Sequence, residues 1–147
     1  MEIHVSKASR SDLDKLSILF DDYRVFYRKS SDPIGSKSFI SERLDQNDSV
    51  IFVASDGNQM VGFTQLYPTF SSATMQKFYI LNDLFVKPEV RGQGIGKSLL
   101  RHAQLFTKNE NLKGLSLATA LDNPAQYLYE SLGWKKDVDF LHYFWHV

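Results

Sequence analysis

Residues 85–103, "FVKPEVRGQGIGKSLLRHA", decide how the rest of the chain is read. A strand-like run ends at Pro88, passes through Gly92, Gly94 and Gly96, and enters a run in which Ile95, Leu99, Leu100, Ala103 and Phe106 fall on one helical stripe. Glycines at a helix start leave successive backbone N–H groups uncovered by any Cβ, and the helix dipole adds to their pull on an anion. The same glycines also suit a turn that only lets a strand and a helix pack. Arg91 before the turn and Lys97 in the first helical turn weigh toward a bound pyrophosphate. So does the local balance of Lys87, Arg91, Lys97, Arg101, Lys108 and Lys113 against Glu89 and Glu110.

Two familiar phosphate patterns fit poorly. A dinucleotide fingerprint needs its third glycine at position 97, where Lys97 stands, and the acid it wants about 20 residues further on has no match, Asp122 lying too far along. A nucleoside-triphosphate loop ends correctly in Gly96, Lys97 and Ser98 but has Arg91 where its first glycine belongs. It would also follow the first strand of a parallel sheet, whereas an antiparallel hairpin precedes this loop.

Outward from the loop, short elements alternate. "EIHVSKA" reads as a strand, and Ser11 with Asp14 reads as the capping box of a helix over 12–29 that buries Leu13, Leu16, Phe20, Tyr23 and Tyr27. "SSDPIGS" interrupts, and a shorter helix follows near 37–46. "SVIFVAS" and "QMVGFTQLYP" form a hairpin through Asp56 and Gly57, "FSSATM" is a loop, and "QKFYILNDLFV" is a long strand. After the glycine-loop helix come a strand at "GLSLATAL", a short helix at "NPAQYLYESLG" and a closing strand at "FLHYFWHV". The order β-α-α-β-β-β-α-β-α-β predicts an α+β fold, a mixed and mainly antiparallel sheet flanked by helices. With no linker or repeat, residues 1–147 are expected to be a single domain. Both faces of the closing strand are rich in aromatic residues, so it is expected to be covered on both sides, across a homodimer.

Composition removes several classes of function. The chain of 147 residues can bury roughly two-thirds of its unfolded surface and needs no covalent staple. It has no cysteine, which excludes disulfides, thiolate zinc sites and a cysteine nucleophile. Lys plus Arg equals Asp plus Glu at 17 each, without the basic surplus of a nucleic-acid binder. No apolar run approaches the ~20 residues of a membrane span, and the start lacks the pattern of a secretion signal. A cytoplasmic protein without nucleic-acid or membrane partners is expected. His142 and His146 are four apart, but in an extended segment that spacing separates them by about 13 Å, so no metal site is expected.

"LFVKPEVRGQGIGKSLL" resembles the GNAT superfamily of acyl-CoA-dependent N-acyltransferases, whose [QR]-x-x-G-x-[GA] signature is met by Arg91, Gly94 and Gly96. "NPAQYLYESLGW" is similar to the family's later segment, with Asn123 and Tyr129 at its functional places. The element order agrees over nearly the whole chain. The resemblance implies acetyl-CoA as acyl donor, lying in a wedge where one central strand splays from its neighbour. Its pyrophosphate would rest on Arg91, Gly92, Gln93, Gly94, Ile95, Gly96 and Lys97, with Leu84, Phe85, Val86 and Asn123 completing the site.

The resemblance also assigns chemistry. A backbone N–H freed by an irregularity at the end of the fourth strand, at Phe85 or Val86, would stabilise charge on the thioester oxygen. Tyr129 would protonate the leaving thiolate. A phenol near pKa ~10 is a weaker acid than a thiol near ~8.5, a deficit that a positioned hydrogen bond offsets. Tyr129 also shares a helical face with Ala125, Leu128 and Leu132, the pattern of a core tyrosine. "ILNDLFV" resembles the diamine acetyltransferases, which carry Glu-Asp there. Here Asn82 replaces the first acid and could hold a water, and Asp83 is either the base or a structural carboxylate. Tyr23 and Tyr27, with Asp21 and Asp22, lie where the resemblance puts the acceptor wall and would favour a small cationic amine. Transfer to protein N-termini or lysines, and a non-catalytic acyl-CoA-binding regulator, are the alternative readings.

Overall fold

The computed structural model describes residues 2–147. Five strands among them form one sheet in the order β1 (Ile3–Lys7), β2 (Val50–Asp56), β3 (Gln59–Ser71), β4 (Gln76–Val86) and β5 (Leu115–Ser116). All neighbours are antiparallel except β4 and β5, which run parallel. The α+β architecture with a mixed, mainly antiparallel sheet is the one read from the sequence.

Helices cover both faces. On one side α1 (Leu13–Phe26) and α2 (Pro33–Gln46) bury Leu16, Leu19, Phe20 and Ile40 against Ile51, Val53, Phe63 and Phe85. On the other, α3 (Ile95–Asn109) buries Ile95, Leu99, Leu100 and Ala103 against Phe52, Ala54, Leu66 and Leu81, and α4 (Gln126–Ser131) packs Leu128 and Tyr129 on the same cluster. β2 explains the arrangement, since its buried residues alternate between the two clusters, Val50, Phe52 and Ala54 to one and Ile51 and Val53 to the other.

Several boundaries differ from the sequence reading. The capping box at the first helix is Ser9 with Asp12, whose carboxylate accepts the Ser9 amide at 2.8 Å, and it opens a 3-10 turn before α1. The second helix begins at Pro33 and is as long as the first, because the Asp32 carboxylate caps the Gly35 amide at 3.0 Å and Pro33 suits the first helical turn. At the hairpin between β2 and β3, Asp56 pairs with Gln59 around Gly57, whose φ is +59°. "FSSATM" is shorter as a loop than its letters suggest, since β3 runs to Ser71.

The largest departure is at the end of the chain. "GLSLATAL" contributes only Leu115 and Ser116 to the sheet, and "FLHYFWHV" forms no strand. A terminal strand needs a ladder to join, and after Ser116 the chain leaves the sheet for the turn around Asn123. Phe140, Leu141, Tyr143, Phe144, Trp145 and Val147 are exposed, so the expected cover on both faces is not found within the chain.

Candidate active site

The site is assembled where β4 loses its outer neighbour. β5 pairs with β4 only at Tyr79 and Ile80, so the edge of β4 from Leu81 onward faces no strand. The Lys87 amide donates to the Val61 carbonyl at 2.9 Å, toward β3. By the alternation of an extended chain, the amides of Val86 and Leu84 face the open edge and that of Phe85 faces β3. Of the two amides expected to be free, Val86 therefore qualifies and Phe85 does not, while Leu84 joins it. The Leu84 and Val86 side chains pack on the α3 side, and Phe85 lies in the core under α1.

The irregularity in β4 sits earlier than expected. Gln65 pairs with Asp83 and Leu66 with Leu81, which leaves Asn82 as the extra residue of a bulge. The bulge reverses the pleat. Leu81 points into the α3 core, whereas Asp83, two residues later, lies on the α1 side with Phe85. Without the extra residue, the carboxylate would fall on the same face as Leu81.

At the far end of the open edge, a 3-10 turn over Pro88–Val90 leads into the glycine loop, and Gly94 caps α3 with φ +82°. The first amide bonded within the helix is that of Ser98, to the Gly94 carbonyl at 3.0 Å, so the amides of Ile95, Gly96 and Lys97 have no partner inside it. A Cβ at Gly92 or Gly94 would meet nothing within 4 Å, and one at Gly96 only Val86 Cγ2 at 3.9 Å. Packing of strand against helix therefore does not require these glycines. Positive φ accounts for Gly92 and Gly94, and Gly96 is left as a bare face on the first helical turn.

Arg91 serves the loop from within. Its Nε donates to the Val86 carbonyl at 2.8 Å, and its guanidinium lies over the rings of Phe26 (4.8 Å) and Phe85 (5.4 Å). The loop is thereby tied both to the end of β4 and to α1. Gln93 and Lys97 are exposed.

Tyr23, Asn82 and Asp83 meet on the α1 side. Tyr23 Oη and Asn82 Nδ2 donate to Asp83 Oδ1 at 3.1 and 2.7 Å. Tyr27 is exposed, its ring 4.9 Å from that of Tyr23. Tyr129 is half-buried beside Trp134, their ring centroids 6.1 Å apart. Burial raises its pKa, the nearby Tyr27 adds to this, and a hydrogen bond with Thr119 opposes it. Its ring packs in the core cluster, and its hydroxyl lies near Thr119 and Tyr27. Asn123 lies in the turn before α4, donating to Thr119 Oγ1 and accepting the Ala125 amide, both at 2.9 Å.

Three residues escaped the sequence reading. Gln65, fully buried, donates from Nε2 to Asp83 Oδ2 at 2.5 Å, and Ser49 Oγ donates to Gln65 Oε1 at 2.9 Å. Tyr67 is pushed up to about 12, by burial first and by the Asp83 charge second. The available signal was a glutamine in the mainly apolar "MVGFTQLY", two residues from core Phe63 and so on the same face. Asp21, by contrast, is not on an acceptor wall. Its carboxylate takes the Ser31 hydroxyl (2.6 Å), the Asp32 amide (2.8 Å) and the Ser36 hydroxyl (2.9 Å), which fixes the connection from α1 to α2. The Ser31 bond leads in holding its pKa low. Asp22 lines an open cleft of about 370 Å³ with Phe26, Phe85 and Lys87.

Residues 47–136 match the family model described as an acetyltransferase (GNAT) domain. The chain is 43% identical over 142 residues to the N-acetyltransferase YhfO of Bacillus subtilis, covering 96% of this chain and 95% of that one. It is similar to the crystal structure of a probable acetyltransferase, with a TM-score of 0.92, 36% identity, and 98% and 97% of the two chains covered. An aminoglycoside acetyltransferase from a soil metagenomic sample shares the fold at a TM-score of 0.85 and 20% identity, over 99% of this chain and 96% of that one. Among the described residues no helix is long and apolar enough to cross a membrane.

Proposed function

Because the chain belongs to the GNAT family of acetyl-CoA-dependent N-acetyltransferases, we propose that residues 1–147 act as a single domain that transfers the acetyl group of acetyl-CoA to a small primary amine, by direct attack in a ternary complex. One observation carries this reading: the open edge of β4 has unpartnered helix-start amides at one end and the Tyr23–Asp83 pair at the other. A linear thioester with a phosphate terminus and an amine arriving from the α1 side suits that arrangement.

The residues fit the donor on the chain's own terms. Gly96 has no Cβ although neither packing nor backbone conformation demands it, which leaves the Ile95, Gly96 and Lys97 amides open to an anion. In this reading Arg91, Gly92, Gln93 and Gly94 form the rest of the pyrophosphate cradle. Asn123 contributes by holding the turn that carries α4. Acetyl-CoA supplies an activated acyl group when bound. One of the two edge amides, Leu84 or Val86, would donate to its carbonyl oxygen, the other lying about 6.7 Å further along the edge, and Tyr129 would give a proton to the departing sulfur. Asn82, exposed on the bulge, holds a water that carries the amine's proton away. Asp83, enclosed by donors, keeps the acceptor side negative.

The test is thiol release from acetyl-CoA over a panel of primary amines, with protein N-terminal peptides and lysine peptides included. Turnover on small amines is expected. Turnover on the peptides alone would move the acceptor to proteins, and binding without turnover would leave an acyl-CoA-binding module. The exposed aromatic residues of 140–147 favour a homodimer as well, in which a second copy would cover them. Light scattering that finds a monomer at micromolar concentration would remove it.

A further inference from the structure

A carboxylate enclosed in protein is normally paired with a cation, because an isolated buried charge is costly. Asp83 is 2% exposed, and none of the ion pairs among the described residues includes it. Everything bonded to the carboxylate is a neutral donor: Tyr23 from α1, Gln65 from β3 and Asn82 from β4. Tyr27 and Tyr67 lie nearby from α1 and β3, and Arg43 of α2 turns to Asp48 at 3.0 Å. The network supplies hydrogen bonds and no countercharge.

The directions of those bonds indicate where a countercharge would enter. Only the amide N–H of Gln65 can face an anion, which leaves its Oε1 to accept the Ser49 hydroxyl at 2.9 Å. Tyr23 has one proton and gives it to Asp83, so the lone pairs of its oxygen are directed away from the carboxylate. Tyr23 is half-buried and its ring meets that of exposed Tyr27, so this oxygen lies at the boundary between the network and solvent.

We propose that Tyr23 Oη receives an N–H of a primary ammonium whose charge is matched by Asp83, and that Gln65 is a positioning residue holding the carboxylate toward Tyr23. The ligand is therefore a cationic alkylamine rather than a neutral or anionic acceptor. This deepens the amine-transferase reading and rests on it for the purpose of the site, but binding alone is enough to test it. Burial pushes Asp83 up and the three donors pull it down, in keeping with an anion that lacks a partner.

The experiment is an NMR titration at pH 7 of the full chain with butylammonium and, separately, with butan-1-ol, which has the same alkyl chain and no charge. Wild type is expected to bind the ammonium at least about tenfold more tightly than the alcohol, as one charge-assisted hydrogen bond allows. Asp83→Asn, Gln65→Met and Tyr23→Phe should each reduce that ratio to near unity, with alcohol binding kept and a cooperative melting transition still present. Tyr23→Phe retains the ring and its packing, so it answers even if a change in the buried network impairs folding. Equal affinity for the two probes in wild type, or a preference that survives all three substitutions, would overturn the proposal. An ammonium that binds in this way but is never acetylated would leave the site standing and sink the transferase reading instead.

Discussion

At the scale of single residues, Tyr129 and Asp83 make opposite predictions. If the Tyr129 hydroxyl protonates the leaving sulfur, Tyr129→Phe keeps the ring against Trp134 and removes only a transition-state interaction. Turnover and kcat/KM should then fall together by about 10²–10⁴-fold, with acetyl-CoA affinity and Tm kept. Near wild-type turnover would reduce Tyr129 to a core tyrosine. Asp83 is raised from its ordinary 3.8 by burial. A raised carboxyl stabilises the fold while protonated, so that contribution is complete below about pH 4 and is lost as the pH climbs through the folded-state value. Asp83→Asn has no charge to bury, and Gln65 can turn its amide to accept from the new N–H while Ser49 accepts in turn. The variant should melt above wild type at pH 7, by roughly 2–4 °C for each kcal/mol, with the gap closing toward pH 4. A variant that melts lower at every pH would mean that Asp83 braces the fold. The sequence made Tyr23 and Asp83 legible as candidates, but not Gln65 and Ser49, because a buried polar partner is defined by what folds against it.

Among the elements, β4 and the glycine loop do the positioning. The long strand, its end at Pro88 and the amphipathic α3 were legible from period and punctuation. The bulge at Asn82 was not, since a bulge depends on register with β3 and leaves no mark in the letters. Its effect is large all the same, as it turns Asp83 from the α3 face to the α1 face. The second helix was read short because "SSDPIGS" looks like a breaker, whereas Asp32 and Pro33 are a cap and a first-turn residue. In the loop, Gly94 has φ +82° and open space where a Cβ would be. Gly94→Val therefore meets no packing clash but strains the backbone by about 1–2 kcal/mol and covers the anion face. Calorimetry should find acetyl-CoA binding lost while circular dichroism keeps the native spectrum. Undiminished affinity would show that the loop holds no phosphate.

Over the whole molecule, the sheet divides the labour. One face carries α3, its amide-rich start and α4, and the other carries α1, α2 and the Asp83 network, with the open edge of β4 between them. The sequence showed helices flanking the sheet but not which helix takes which face, because β2 is apolar at every position from Val50 to Ala54 and its letters alternate nowhere. The end of the chain was not legible either, since an aromatic run alternates equally well whether or not a ladder exists to receive it. The chain has no cysteine and Asp83 is enclosed by donors, which removes two candidate acetyl carriers and suits the proposed direct transfer from donor to amine. The most direct measurement mixes the protein with acetyl-CoA alone, records its intact mass, then adds a basic primary amine and quantifies thiol and N-acetylated amine together. The expected result is an unmodified protein before the amine is added, followed by thiol and N-acetyl product mole for mole. An acetylated protein in the first step, or thiol released without N-acetylated amine in the second, would contradict direct transfer at this site.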